Sequence, residues 1–184
     1  ISVNISYNAG SFNITTFNLL IMIIKLIKNF ICINQFKLKC TVGKGGIKKK
    51  IKEGDKITPK GTFFLGKLYY RSDRVGKFQT KLDCKIIKKN MGWCDDPKSK
   101  HYNKLIKFPF SMSAEKLFLK KNIYDICLVL NYNMSPIKKG KGSAIFFHLT
   151  SKRYSPTRGC IAISKFNMIK ILKLINRQTK IIIN

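Results

Sequence analysis

Acidic residues are scarce in this chain of 184 residues: eight Asp and Glu stand against 37 Lys and Arg, for a formal net charge of +29. Histidine occurs twice, at His101 and His148, and tryptophan once, at Trp93. The six cysteines, at positions 32, 40, 84, 94, 127 and 160, contain no C-x-x-C pair. With so few histidines, that spacing argues against a Cys/His zinc site, and no metal ligands are expected. A disulfide-stapled miniprotein is also disfavoured, because a chain this long can be held by a core. Long apolar runs are missing too. Lys25 and Lys28 interrupt the apolar stretch from Phe17 to Ile33, and its longest uncharged part, Leu19 to Ile24, is far too short to span a bilayer. No basic residue precedes Lys25, so the stretch lacks the charged start of a secretory signal.

What is present points to one domain with a real core, since 45% of residues are hydrophobic. A charge of +29 would ordinarily suggest nucleic acid or an anionic membrane surface. Here 32 of the 37 basic residues are Lys, and Lys, Ile and Asn together supply 73 residues, which is the mark of compositional drift. The basic residues are spread along the chain without the aromatic interleaving of RRM or cold-shock motifs. No specific nucleic-acid partner is expected. A basic β domain binding nucleic acid or an anionic surface, with Tyr69, Tyr70 and Trp93 exposed, stands as the alternative. The first Met is Met22, and residues 1–21 are rich in Asn, Ser and Thr. They are expected to lie outside the natural domain, which then covers 22–184.

Phe36, Leu38, Cys40 and Val42 alternate with polar residues, the period of a half-buried strand. Further strands are expected over Thr62–Tyr70, Leu82–Ile86, Asp125–Asn131, Ser143–Leu149 and Ile181–Ile183. Ser113–Lys120 carries a short helix signal, with Ser113 as N-cap. Lys165–Asn176 carries a stronger one, capped by Ser164, with Phe166, Ile169, Leu172 and Ile175 at near-helical spacing. Asn90–Asn103 reads as irregular. The expected fold is mainly β, a single β-rich domain with mixed sheet and two or three short helices.

Gly43-Lys44-Gly45-Gly46 followed by Lys48-Lys49-Lys50 lacks the spacing of a phosphate loop and reads as a solvated basic turn. Asp95 and Asp96 are adjacent, so they point apart in an extended chain and read as turn residues. His101 reads as exposed. Ser143 to Ser164 is different. His148 ends an apolar strand, and Cys160 follows Arg158-Gly159 and starts another. A strand, a loop and a second strand can fold Cys160 back beside His148. An imidazole there would take the thiol proton, Gly159 would let backbone N–H groups face an oxyanion, and Arg158 would favour the thiolate. On spacing alone, a buried core His and a buried core Cys remain the simpler reading.

These residues resemble the L,D-transpeptidase family, also called the YkuD domain. The family signature pairs a His with a later [ST]-x-G-C, here His148 and Thr157-Arg158-Gly159-Cys160-Ile161. Upstream, Glu53-Gly54-Asp55 and Thr58-Pro59-Lys60-Gly61-Thr62-Phe63 match the family's TPxGxF element. Cys40 to Ile47, Gly92 to Pro97, Tyr102-Asn103 and Gly142 to His148 resemble a compact bacterial branch of it. The chain departs from better-known members in having Arg158 where they place a second His, and Ala162 where an Arg is usual.

That resemblance implies a cysteine acyltransferase acting on peptidoglycan stem peptides, with Cys160 as nucleophile and His148 as general base. A carbonyl near Leu149 or Thr150 would orient the imidazole. Arg158 and Gly159 would line the oxyanion site, and Thr157, Arg158 and Trp93 would contact substrate. The resemblance implies no cofactor, inhibition by carbapenem-type β-lactams, and a cell-envelope or periplasmic location. A module that binds cell-wall peptides without turnover is the other alternative. Cys32, Cys40, Cys84 and Cys127 are expected to be inert core thiols, whereas Cys94, in a polar turn beside Trp93, is the ambiguous one, a candidate to border the cleft. Cys160 is expected to alkylate first.

Overall fold

A computed structural model describes residues 21–151 and 153–184. The expected extension over 1–21 lies outside them, apart from Ile21. The alternation around Phe36 becomes the third strand of a meander: β1 (Ile23–Ile27), β2 (Phe30–Ile33) and β3 (Phe36–Thr41) pair antiparallel in turn. Next come the short parallel pair β4 (Ile47–Lys48) and β5 (Thr58–Pro59), then the long β6 (Gly61–Tyr70) and β7 (Cys84–Ile86). β8 (Met91–Cys94), β9 (Leu105–Lys107) and β10 (Ala114–Lys116) form a separate antiparallel sheet in the order β10-β8-β9. A 3-10 turn, Asn122–Tyr124, leads into β11 (Ile126–Leu130), β12 (Phe146–Leu149) and β13 (Ile161–Ile163). Helix α1 (Lys165–Leu174) and β14 (Lys180–Ile183) complete the fold.

The main sheet runs β11-β12-β13-β3-β2-β1-β14-β6-β7 and closes on itself, because β6 pairs with β14 through Gly61–Phe64 and with β11 through Leu65–Tyr70. Closure removes exposed edges from most of its strands. One core fills the ring, with Leu128, Leu130, Phe147, Leu149, Ile161 and Ile163 facing it together with Met168, Ile171 and Leu172 of α1. The opposite faces of β11, β12 and β13 pack under the β8–β10 sheet, where Cys127, Val129, Phe146 and Cys160 meet Trp93 and Tyr124. Strands covered on both faces are predominantly apolar; every residue of β11, β12 and β13 is buried, and His148 is the one polar residue among them.

Three local expectations change. Ser113–Lys120 does not form a helix: Ala114–Lys116 pairs with Cys94–Gly92, because so short a segment has marginal helicity and a waiting strand edge offers a full ladder. Asn90–Asn103 is not irregular throughout, since Met91–Cys94 is the buried centre of that small sheet. Helix α1 starts where Ser164 caps it, the hydroxyl accepting from Asn167 N at 3.2 Å. Its buried stripe is Met168, Ile171 and Leu172, whereas Phe166 is 69% exposed. Two apolar stripes fit the same helical spacing, and packing against the ring selects one.

Candidate active site

β12 and β13 are parallel, with Phe147 opposite Ile161 and His148 opposite Ala162. Side chains alternate along each strand. Cys160 therefore lies level with Phe146, on the face that also carries His148, two residues further along. The expected His–Cys pair shares one face of the sheet, under the small β8–β10 sheet.

The Cys160 sulfur is held from two sides. Its thiol donates to Ala144 O at 3.2 Å, and Phe146 N donates to the sulfur at 3.3 Å. Ala144 sits in the left-handed region at φ 49, a conformation that costs a residue with a Cβ and persists only where its surroundings impose it. The imposing group is Asn103, whose Oδ1 accepts from Ala144 N at 3.1 Å and from Trp93 Nε1 at 3.0 Å. Asn103 Nδ2 is anchored on the carbonyls of Tyr132 and Asn133. Trp93 thus lies 4% exposed beneath the site and acts on Cys160 through Asn103 and Ala144. Burial pushes the Cys160 thiol up to about 12; Glu115 adds to this, and the Phe146 N–H and Lys50 oppose it. The cation that Cys160 senses is Lys50, while Arg158 is exposed and acts on Glu115.

His148 Nδ1 lies 2.8 Å from Leu149 O, the carbonyl position expected for orienting the ring. A carbonyl only accepts, so the neutral tautomer that makes this bond carries its proton on Nδ1 and leaves the lone pair on Nε2. Burial lowers the imidazole to about 4 against the pull of the Leu149 and Ile123 carbonyls. It is neutral at pH 7, the form that can accept a proton. Among the described residues no hydrogen bond joins His148 to Cys160.

The loop before Cys160 is built by motifs far away in sequence. Thr58, fully buried, accepts from Gly43 N at 2.8 Å and donates to Gly159 O at 2.8 Å. A Cβ on Gly43 would meet Lys56 O at 2.2 Å, and Gly159 adopts φ 136 with Ile57 O 3.0 Å from where its Cβ would stand. Glycine is required at both places. Thr157 braces the turn: its hydroxyl donates to Cys160 O at 2.6 Å and accepts from Gly159 N at 3.1 Å.

Two features were not legible as site residues. Lys50 is buried and ion-paired with Asp55, its side chain packed against Gly142, so the expected solvated basic turn holds for Lys44, Lys48 and Lys49 but not for Lys50. Glu115 accepts from Tyr124 OH at 2.6 Å, and the Tyr124 ring stands edge-on to His148, centroids 5.2 Å apart. The sequence signal available for Glu115 was its rarity, as one of two glutamates. Tyr69 and Trp93, expected to be exposed on the nucleic-acid reading, are buried instead. Cys84, expected in the core, is exposed, because all of β7 faces outward. Cys94 is buried.

A family model described as the L,D-transpeptidase catalytic domain, YkuD, matches residues 28–183. No curated protein matches the chain. Among solved structures, the crystal structure of the helical cell shape determining protein Pgp2 from Campylobacter jejuni is similar, with a TM-score of 0.51 at 16% identity. The match covers 89% of this chain and 47% of that one, so this chain spans about half its length, and the likeness is one of fold.

Proposed function

Because the chain belongs to the L,D-transpeptidase catalytic-domain family, we propose that it is a cysteine acyltransferase acting on peptidoglycan stem peptides, with Cys160 as nucleophile and His148 as base. The observation that carries this reading is the placing of Cys160 and a neutral, backbone-oriented His148 on one face of two parallel strands. His148 Nε2 takes the thiol proton as the sulfur bonds to the carbonyl carbon of an L,D peptide bond. The oxyanion is met by backbone N–H groups of Arg158, Gly159 and Cys160, with that of Gly159 released from Thr157. The C–N bond then breaks, the leaving amine takes the proton from His148, and a Cys160 thioester remains. An amine or water attacks the thioester and restores the thiol, giving transpeptidation or carboxypeptidation. Arg158, exposed beside the loop, and Thr157 contact the peptide. The chemistry belongs to the cell envelope.

One observation favours a second reading, a domain that binds stem peptides without turnover: the thiol is hydrogen-bonded to Ala144 O and not to His148. Intact-protein mass spectrometry with a carbapenem separates the two. On the catalytic reading the wild type gains one covalent equivalent, Cys160→Ser gains none, and His148→Ala acylates about 10²–10⁴-fold more slowly. A wild type that forms no adduct, or a Cys160→Ser variant that still forms it, overturns the assignment.

A further inference from the structure

The outward face of the N-terminal meander takes no part in the site. Side chains alternate along β1, β2, β14 and the first half of β6, so Ile24, Leu26, Ile31 and Ile181 point into the ring core and their neighbours point out. Outward positions on a water-facing antiparallel sheet are ordinarily polar, and here several are not. Ile23, Ile27 and Phe30 are 42%, 44% and 38% exposed, and Phe64 of β6 is 49% exposed. Register draws them together: Ile27 lies opposite Phe30, and Ile23 and Phe64 flank Lys180 from either side. The other outward positions include Lys25, opposite Cys32, and Lys37 and Lys39, opposite Cys32 and Phe30. None of these four lysines has an ion-pair partner among the described residues. No Asp or Glu occurs in β1, β2, β3, β6 or β14. Whatever the origin of the chain's lysines, the result is a surface of one charge sign with large apolar side chains set into it.

An apolar patch rimmed by polar groups marks a partner surface, and the arrangement selects among anionic partners. Single-stranded nucleic acid needs open aromatic faces on which bases stack. Here the Lys37 ammonium lies over the Phe30 ring at 4.7 Å and that of Lys180 over the Phe64 ring at 5.0 Å, and the remaining apolar side chains are aliphatic. A bilayer interface asks for the reverse. Apolar side chains enter the acyl boundary, and lysine stems lie along them while the ammonium groups reach anionic headgroups. We propose that the outward face of β1, β2, β14 and β6 docks this domain on the headgroup region of an anionic lipid bilayer. Around the ring, β1 stands four strands from β12 in either direction. Docking therefore leaves the cleft of Cys160 and His148 on the side away from the membrane.

The test is co-sedimentation of the full chain with vesicles of phosphatidylcholine and phosphatidylglycerol. Lys25→Gln/Lys37→Gln/Lys39→Gln/Lys180→Gln is expected to weaken binding at least about tenfold, since a lysine at an anionic surface is worth about fivefold. Lys88→Gln/Lys89→Gln/Lys120→Gln/Lys121→Gln removes the same charge from exposed positions beside β8 and the 3-10 turn, and should cost less than about threefold because screening confines the attraction to the docked face. Phe30→Ser/Phe64→Ser leaves the charge intact and should also weaken binding at least about tenfold. Phe30→Trp should be quenched by brominated lipid beyond the wild type, whose single Trp93 is 4% exposed. All these changes replace water-facing side chains, and thermal unfolding midpoints check that the ring is intact. A wild type that does not bind, equal losses from the two lysine sets, no loss from Phe30→Ser/Phe64→Ser, or no quenching beyond the wild type overturns the proposal. So does a dimer in analytical ultracentrifugation that Phe30→Ser/Phe64→Ser dissociates, which makes the face an interface between copies. Duplex DNA binding that falls with the face variants while vesicle binding does not overturns it as well.

Discussion

Replacing Lys50 by Met asks whether a lysine in a basic run is decoration or structure. Its side chain is 2% exposed and that of its partner Asp55 8% exposed. The two ends of this pair are not equivalent. Asp55 also accepts from the backbone N–H groups of Ile51, Lys52 and Ile57 at 3.0, 3.2 and 3.0 Å. Lys50→Met therefore leaves the carboxylate satisfied three times over and keeps an apolar stem against Gly142. The expected cost is about 1–2 kcal/mol, the loss of one charge-assisted bond after solvent screening. Asp55→Ala removes the acceptor of three N–H groups and leaves a buried ammonium unpaired, for which about 3–5 kcal/mol is the usual cost. Burial alone would raise Asp55, yet Lys50 and the three N–H groups outweigh it and hold the carboxyl at about 2 against an ordinary 3.8. A lowered folded value means that the stabilisation is present above 3.8 and is lost as pH falls through about 2. Urea unfolding at pH 7 of wild type, Lys50→Met, Asp55→Ala and Lys48→Gln, repeated down to pH 2, measures all of this. Lys48→Gln should lie within about 0.5 kcal/mol of wild type. The reasoning fails if Asp55→Ala costs no more than Lys50→Met, or if Lys50→Met is indistinguishable from Lys48→Gln.

Iodoacetamide at neutral pH should label the exposed Cys84 first and Cys160 slowly, since burial holds the Cys160 thiol at about 12; peptide mapping that finds Cys160 first would contradict the buried-thiol geometry. His148 is neutral when folded down to about 4, whereas the unfolded ring protonates near 6.5. Stability should therefore fall by about 3 kcal/mol as pH drops from 6.5 to 4, and His148→Gln should flatten that part of the pH profile in thermal unfolding; an unchanged profile would refute a buried neutral ring.

The strands of the main sheet were legible because alternation and β-branched runs report burial directly. Phe36–Thr41, Ile126–Leu130, Phe146–Leu149 and Ile161–Ile163 all carry that signal, and the Ser164-capped helix carries the helical one. The segment Ser113–Lys120 misled, since its local capping signal is real but weaker than the ladder that β8 supplies. Cys84 misled in the opposite way. Its strand alternates in sequence, yet neither face of it is covered, because β7 lies at the end of the sheet beyond β6.

His148, Cys160 and the glycine before it could be read as a unit because the loop between them is short, so a local rule places both on adjoining strands. Thr58, Gly43 and Asn103 could be seen as motifs but not as contacts. Thr58 reaches Gly159 across 101 residues, and it is the pairing of β3 with β13 that brings the first third of the chain against the last. Lys50 carried no sequence signal of its role, and Glu115 only that of its rarity. A charged residue shows its type in sequence, whereas its role depends on which neighbours exclude water from it, and here those neighbours come from strands distant along the chain. The sequence by itself determined the β architecture, which follows from local periodicity, and pointed to the nucleophile–base candidates through the family resemblance of the His148 and Thr157–Cys160 motifs, since spacing alone favoured two core residues. The tertiary structure alone decided which charges are buried beside them, because burial is a property of the assembled layers.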